Sequence, residues 1–190
     1  MRVIAGEARR LQLKTPKGTG TRPTSDKTKE TLFNVLAPYI YSDTRFLDLF
    51  AGSGGIGIEA VSRGAEAAVL VERDREAARC IEENIRTCRF EDRCRLMKTD
   101  VISALGILEK RAKKPEERFD MIFMDPPYSE GYEKKVLKLI AKGNLLGEEA
   151  VIIAESAADT DFSFVNDLGL EIFKEKDYLN NKHVFFRRAV

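Results

Sequence analysis

Apolar and polar positions along this chain fall into blocks whose period switches between helix-like and strand-like. Residues 1–14 alternate weakly, with Val3, Leu11 and Leu13 as apolar points around Gly6, which predicts a short hairpin. Lys17 to Pro23 reads as a loop. A helix is expected from Ser25 or Asp26, either of which can cap it; Leu32, Phe33, Leu36 and Ile40 recur at helical spacing, and Pro38 ends or kinks it. From residue 45, strands expected at 45–50, 67–72, 93–98, 119–124 and 150–155 alternate with helices at 56–63, 75–88, 101–111 and 133–142. The tail, 171–178 and 182–187, reads as two more strands around Asn180-Asn181. Alternating strands and helices predict an α/β fold with a doubly wound, mostly parallel sheet, and the closing hairpin makes its C-terminal edge antiparallel.

Composition narrows the chemistry. A length of 190 residues suits one domain with a short appendage, and 43% hydrophobic with 33% charged residues places it among soluble globular proteins. No run approaches the roughly 18 apolar residues of a membrane helix. Met1 to Glu7 lacks the apolar core of a secretion signal, so a cytoplasmic location and no membrane partner are expected. Three cysteines without paired C-x-x-C spacing, and the single His183, give little support to thiol, metal or Ser-His-Asp chemistry; no metal is expected. His183 is expected to be structural or exposed.

The net charge of +1 hides an asymmetry. Residues 1–25 hold six basic residues, Arg9, Arg10 and Arg22 among them, against Glu7 alone. This divides the chain into a basic arm over 1–25 and a domain over 26–190, and a basic arm points to a phosphate backbone. Lys110 to Lys114 reads as a solvated loop.

Two motifs carry chemistry. The first expected strand runs into Asp48-Leu49-Phe50-Ala51-Gly52-Ser53-Gly54-Gly55-Ile56-Gly57. Glycines permit a tight turn and a close ligand approach. Gly52, Gly54 and Gly57 spell G-x-G-x-x-G, with Glu72 at the end of the next strand, which is dinucleotide-binding spacing. An NAD-dependent oxidoreductase is therefore one reading. Asp48 weighs against it, because an acid beneath the loop repels a pyrophosphate and attracts a cationic amino-acid moiety. S-adenosylmethionine has that moiety, a ribose and an adenine, and no phosphate. Glu72 suits ribose hydroxyls; Asp100 suits the adenine amine or caps the next helix.

The second motif is Asp125-Pro126-Pro127-Tyr128, directly after the apolar run 121–124. The prolines stop the strand and stiffen the loop. A carboxylate, a backbone carbonyl and a ring held this way suit a flat base with an amino group. Asp125 and Pro126 accept from the amine and Tyr128 stacks.

With these residues in hand, the chain resembles the class I S-adenosylmethionine-dependent methyltransferases, and more narrowly the RsmD-type family. The resemblance rests on Arg22-Pro23-Thr24-Ser25-Asp26 leading into Glu30 to Asn34, on Asp48 to Gly57, and on Asp125 to Tyr128. It implies a seven-stranded sheet with an antiparallel last strand, and methylation of a guanine N2 in 16S ribosomal RNA, free or within the small subunit. It also places Arg22, Pro23 and Thr24 near the cofactor, facing the RNA. The start, Ala5 to Arg10, departs from the family's glycine- and arginine-rich pattern. A DNA or RNA adenine-N6 methyltransferase shares the last motif and is the nearer rival.

Overall fold

The structure is a computed structural model that describes residues 1–16, 25–127 and 131–189. Two compact units divide it, Met1–Asp100 and Val101–Val190.

The first unit holds α1 (Asp26–Leu36), β1 (Arg45–Asp48), α2 (Gly55–Ser62), β2 (Ala67–Val71), α3 (Arg75–Cys88) and β3 (Cys94–Met97). The Ser25 side chain caps α1 by accepting from Thr28 N at 3.1 Å, and the helix stops at Leu36, two residues before Pro38. Asp74 caps α3 in the same way through Ala77 N at 2.8 Å. The expected apolar face of α3, from Ala77 to Cys88, is buried. The strands run parallel in the order β3-β2-β1, with Phe46 opposite Ala68 and Leu70 opposite Leu96.

Every residue of α2 is buried. Residues 1–16 help to enclose it. One antiparallel bridge, Arg2 to Gln12, closes the expected hairpin, and Val3, Ala8 and Leu13 are buried. Gly6 allows the close fit: at φ +82, a Cβ there would stand 1.7 Å from the Ser62 carbonyl oxygen. The backbone N–H groups of Ile4 and Ala5 donate to Glu59 of α2 at 2.8 and 3.0 Å, and that of Ala8 to Ser62 Oγ at 3.0 Å.

The second unit holds α4 (Val101–Arg111), β4 (Phe119–Met124), α5 (Tyr132–Lys142), β5 (Leu146–Ala157), β6 (Leu170–Asp177) and β7 (Asn181–Arg188). Its strand order is β4-β5-β7-β6. β4 and β5 are parallel; β7 is antiparallel to both its neighbours. The antiparallel last strand thus lies inside, between β5 and β6. Its Val184, Phe185 and Phe186 are fully buried, as an interior strand requires, whereas β6 exposes Lys174, Glu175 and Lys176, the charged residues that discourage edge pairing.

Together the units supply the seven strands expected. Each candidate acid follows a strand. Asp48 ends β1, Glu72 follows β2, Asp100 lies three residues past β3, and Asp125 follows β4. Carboxyl ends of strands are where open α/β sheets bind ligands.

Candidate active site

The glycine loop is built on two carboxylates. Asp48 is buried at the end of β1, and its Oδ2 accepts from Gly57 N at 3.1 Å in the first turn of α2. Its Oδ1 is also buried and has no hydrogen-bond partner among the described residues. Burial pushes its pKa up to about 7; the Gly57 N–H opposes this, the Glu72 charge adds to it, and the Phe50 N–H opposes it as well. Glu72 holds the other side of the loop. Its Oε2 accepts from Gly52 N at 2.8 Å and its Oε1 from Asp74 N at 2.8 Å, which ties the loop to the entry of α3. Each oxygen keeps a lone pair for a further donor.

The glycines differ in what they make possible. At Gly52, φ is +54 and nothing lies within 4 Å of where a Cβ would be. At Gly54, φ is +77 and a Cβ would come 2.9 Å from Leu70 Cδ2. Gly52 leaves room above the loop, while Gly54 lets the loop seat on the core below.

Asn84, buried on α3, joins this loop to the N-terminal segment. Its Nδ2 donates to Ser53 O and to Lys14 O, both at 2.9 Å, and its Oδ1 accepts from Lys14 N at 2.7 Å. Asn84 was not expected from the sequence, and neither was the ion cluster beneath the segment. Glu59 and Lys29 are fully buried and 3.1 Å apart; Arg63 donates to Glu59 at 2.8 Å, and Lys29 Nζ to Arg2 O at 2.5 Å. Burial lowers the Lys29 pKa, and Glu59 opposes that. The available signal was a glutamate amid the apolar run of α2, since unpaired acids are almost never fully buried.

In the second unit, Asp125 is half-buried, Pro126 buried and Pro127 exposed. Met124 pairs with Ala154, so Glu155 is the next residue on the neighbouring strand. Glu155 and His183 form a buried pair, Oε2 to Nε2 at 3.0 Å, and His183 Nδ1 meets the Tyr178 hydroxyl at 3.1 Å. His183 is therefore structural in the sense expected, and not exposed.

Of the remaining expected site residues, Arg9 and Arg10 are exposed in a turn whose Arg10 N–H donates to Val3 O at 2.9 Å. Asp100 is exposed immediately before α4. Arg22, Thr24 and Tyr128 lie outside the described residues. Among the described residues no group of three or more His, Cys, Asp or Glu could hold a metal ion, and no helix is long and apolar enough to cross a membrane. Burial pushes the Cys88 and Cys94 thiols up to about 11 and about 12.

S-adenosylmethionine is the test of fit. A buried carboxylate oxygen with no partner calls for a cationic donor, and the α-ammonium of the cofactor is one. Glu72, fixed beside an open Gly52, offers acceptors for ribose hydroxyls. The residues present fit, and the fold and loop together define a class I S-adenosylmethionine-dependent methyltransferase.

Comparison with known proteins narrows the class. A family model described as "Conserved hypothetical protein 95" matches residues 1–187, and the chain belongs to that family, the RsmD-type methyltransferases. The Bacillus subtilis protein named "Putative rRNA methyltransferase YlbH" is 44% identical over 155 residues, which is 82% of each chain. "Ribosomal RNA small subunit methyltransferase D" of Escherichia coli is 36% identical over 84% of this chain and 76% of its own. A solved structure, "Putative methyltransferase yhhF" from Escherichia coli, has a TM-score of 0.82 at 31% identity and covers 100% of this chain and 98% of that one.

Proposed function

We propose that this chain methylates ribosomal RNA, and that the acceptor is the exocyclic N2 amine of a guanine in the small-subunit RNA. The observation that carries the reading is the buried, half-satisfied Asp48 carboxylate beneath the glycine loop. It favours a phosphate-free cationic cofactor over a dinucleotide. The relatives' names, among them the small-subunit methyltransferase D of Escherichia coli, support RNA as the substrate.

Bound S-adenosylmethionine supplies a methyl group already activated on a sulfonium sulfur. The chain has to present the amine. In this reading, Asp48 and Glu72 fix the amino-acid and ribose ends of the cofactor, and Thr24 and Asp100 contact it as well. The two N–H groups of the guanine amine donate to the Asp125 carboxylate and the Pro126 carbonyl. That pair of bonds draws the nitrogen toward a pyramidal shape and frees a lone pair otherwise delocalised into the ring. Tyr128 stacks on the base, a contact worth about 1–3 kcal/mol in nucleic-acid systems. Orientation of this kind supplies up to roughly 7–11 kcal/mol. As the amine took the methyl group, the methyl–sulfur bond would break to leave a neutral thioether, and the proton the nitrogen sheds would go to Asp125 or to water. Arg9, Arg10 and Arg22 hold the RNA through its phosphates.

Mass mapping of modified nucleosides in ribosomal RNA from cells lacking the protein tests this. One N2-methylguanosine should vanish from the small-subunit RNA and return when purified protein and S-adenosylmethionine are added. Loss of an N6-methyladenosine instead would establish the adenine reading, and binding of NAD but not S-adenosylmethionine in equilibrium dialysis would restore the oxidoreductase.

A further inference from the structure

A groove of about 340 Å³ opens at the start of α3, lined by Arg73, Asp74, Arg75, Ala78, Arg79 and Lys98. Four of its six lining residues are cations. Asp74, the single acid, is already engaged, its carboxylate capping α3 through Ala77 N at 2.8 Å. Lys98 pairs with Glu82 at 2.7 Å. Arg73, Arg75 and Arg79 are exposed and take part in no ion pair among the described residues.

Arg75 and Arg79 stand four residues apart on one helix, a like-charge spacing that disfavours the helix. A concave surface that gathers guanidinium groups without counter-ions is suited to an anion, because each planar fork can hold a phosphate through two N–H groups. The cofactor is not that anion: it has no phosphate, and its sulfonium and ammonium are repelled here. Lys14 is ion-paired with Glu83, one turn of α3 beyond Arg79. Glu82 and Glu83, which follow the groove on α3, are each paired with a lysine, so Arg73, Arg75 and Arg79 stand as a cation cluster of their own.

We infer that this groove holds backbone phosphates of the RNA substrate, as a second RNA contact beside the basic arm. The inference rests on the RNA-methylating reading above. Phosphate contacts position a substrate without reading its sequence, so the groove acts on RNA affinity and its salt dependence, not on which base is modified.

The test uses the full chain and a fluorescein-labelled, single-stranded RNA of mixed sequence. Its dissociation constant is followed by anisotropy from 50 to 200 mM KCl for the wild type, R75Q/R79Q and R75K/R79K. Removing one cation from a single-strand phosphate lowers the slope of log affinity against log salt by about 0.7. R75Q/R79Q should therefore lower it by about 1.4, making the fall in affinity across that salt range roughly sevenfold smaller. R75K/R79K should keep the wild-type slope. An unchanged slope in R75Q/R79Q overturns the inference, as does a wild type that binds no RNA. Binding of adenosine monophosphate to the wild type but not to R75Q/R79Q, with RNA binding equal in both, would assign the groove to free nucleotides and overturn it too. Methyl transfer to ribosomal RNA by the wild type, measured in parallel, separates the two failures: activity with an unchanged slope sinks the groove alone, and inactivity sinks the functional reading.

Discussion

Replacing Asp48 by Asn should make the ligand-free protein more stable relative to wild type as pH rises, while removing its grip on the cofactor. The Asp48 carboxyl moves from an ordinary 3.8 to about 7 on folding, chiefly through burial. Between those values the unfolded chain has released the proton and the folded chain still holds it. Stability therefore falls with rising pH, by about 1.4 kcal/mol per pH unit, and levels off above pH 7. From pH 5.5 to 8 the loss is about 2 kcal/mol. Asn cannot ionise and keeps an oxygen for the Gly57 N–H. The difference in Tm, variant minus wild type, should thus grow by roughly 4–8 °C from pH 5.5 to 8 in a chain of this size. Comparing the two proteins at each pH cancels every other titrating group. Calorimetry or thermal melts followed by circular dichroism supply the measurement.

The same carboxylate must be ionised to receive an ammonium group. With half-ionisation near pH 7, about a tenth of the ligand-free protein is competent at pH 6. S-adenosylhomocysteine, which keeps the α-ammonium, should bind wild type about tenfold more weakly at pH 6 than at pH 8. Titration calorimetry of Asp48→Asn should show weak binding at both. A Tm difference that does not change with pH, together with a flat affinity for wild type, would refute the whole argument from the orphaned oxygen.

Asp125→Ala should abolish methyl transfer while the S-adenosylhomocysteine affinity stays within about twofold; parallel loss of both would count against its role at the amine. Tyr128→Ala should slow transfer less than Asp125→Ala, and Tyr128→Phe less again, because the ring and not the hydroxyl stacks; a Phe variant as inactive as Asp125→Ala would point to the hydroxyl. Glu59→Gln leaves Lys29 buried without its counter-charge and should cost about 3–5 kcal/mol in urea denaturation, and a loss under about 1 kcal/mol would show that water reaches the cluster. Replacing Arg9 and Arg10 by Ala should lower the salt slope of RNA affinity by about 1.4, and an unchanged slope would leave the arm as a solvated turn.

Much of the fold was legible because local signals agreed with one another. α3 begins and ends where expected, at Arg75 and Cys88, since a capping aspartate and an apolar stripe mark the same helix; the left-handed Arg89 that closes it shows only in the structure. β5 is longer than expected. It starts at Leu146, four residues early, and pairs Leu146 with Phe119 across an irregularity in register. The exposed Glu148 and Glu149 after Gly147 look like a loop in sequence; only the neighbouring strand makes them part of a sheet. The positions of the acids beside the glycine loop were readable for a related reason: each sits at a strand end, and strand ends show as the edges of apolar runs. Nothing local announces Asn84 or Lys29. Their partners lie 31 and 70 residues away for Asn84, and 27 residues away for Lys29 and the carbonyl of Arg2, and separations of that size carry no periodicity.

Those distant contacts change how the basic N-terminus acts. A loosely tethered arm would find phosphates independently of the cofactor site. Here the backbone on either side of Arg9 is fixed, with Ala8 N bonded to Ser62 Oγ and Arg10 N to Val3 O. Ser62 ends α2, and the other end of α2 begins at the glycine loop. Eight helical residues span about 12 Å, so a short, fully buried helix connects the Arg9–Arg10 turn to the peptide that Glu72 anchors. Asn84 makes a second link, from the far side of the segment at Lys14 to Ser53 in the loop. Two attachments at different points remove the freedom to pivot that one would leave. The buried charge of Glu59 follows from the same need: it accepts from two backbone N–H groups of the segment and is balanced by Lys29 and Arg63. An apolar residue at that position could cover α2 but could not set the register of a strandless segment against a helix. The cost of burying Glu59 and Lys29 is consistent with a segment held at a fixed distance from the glycine loop.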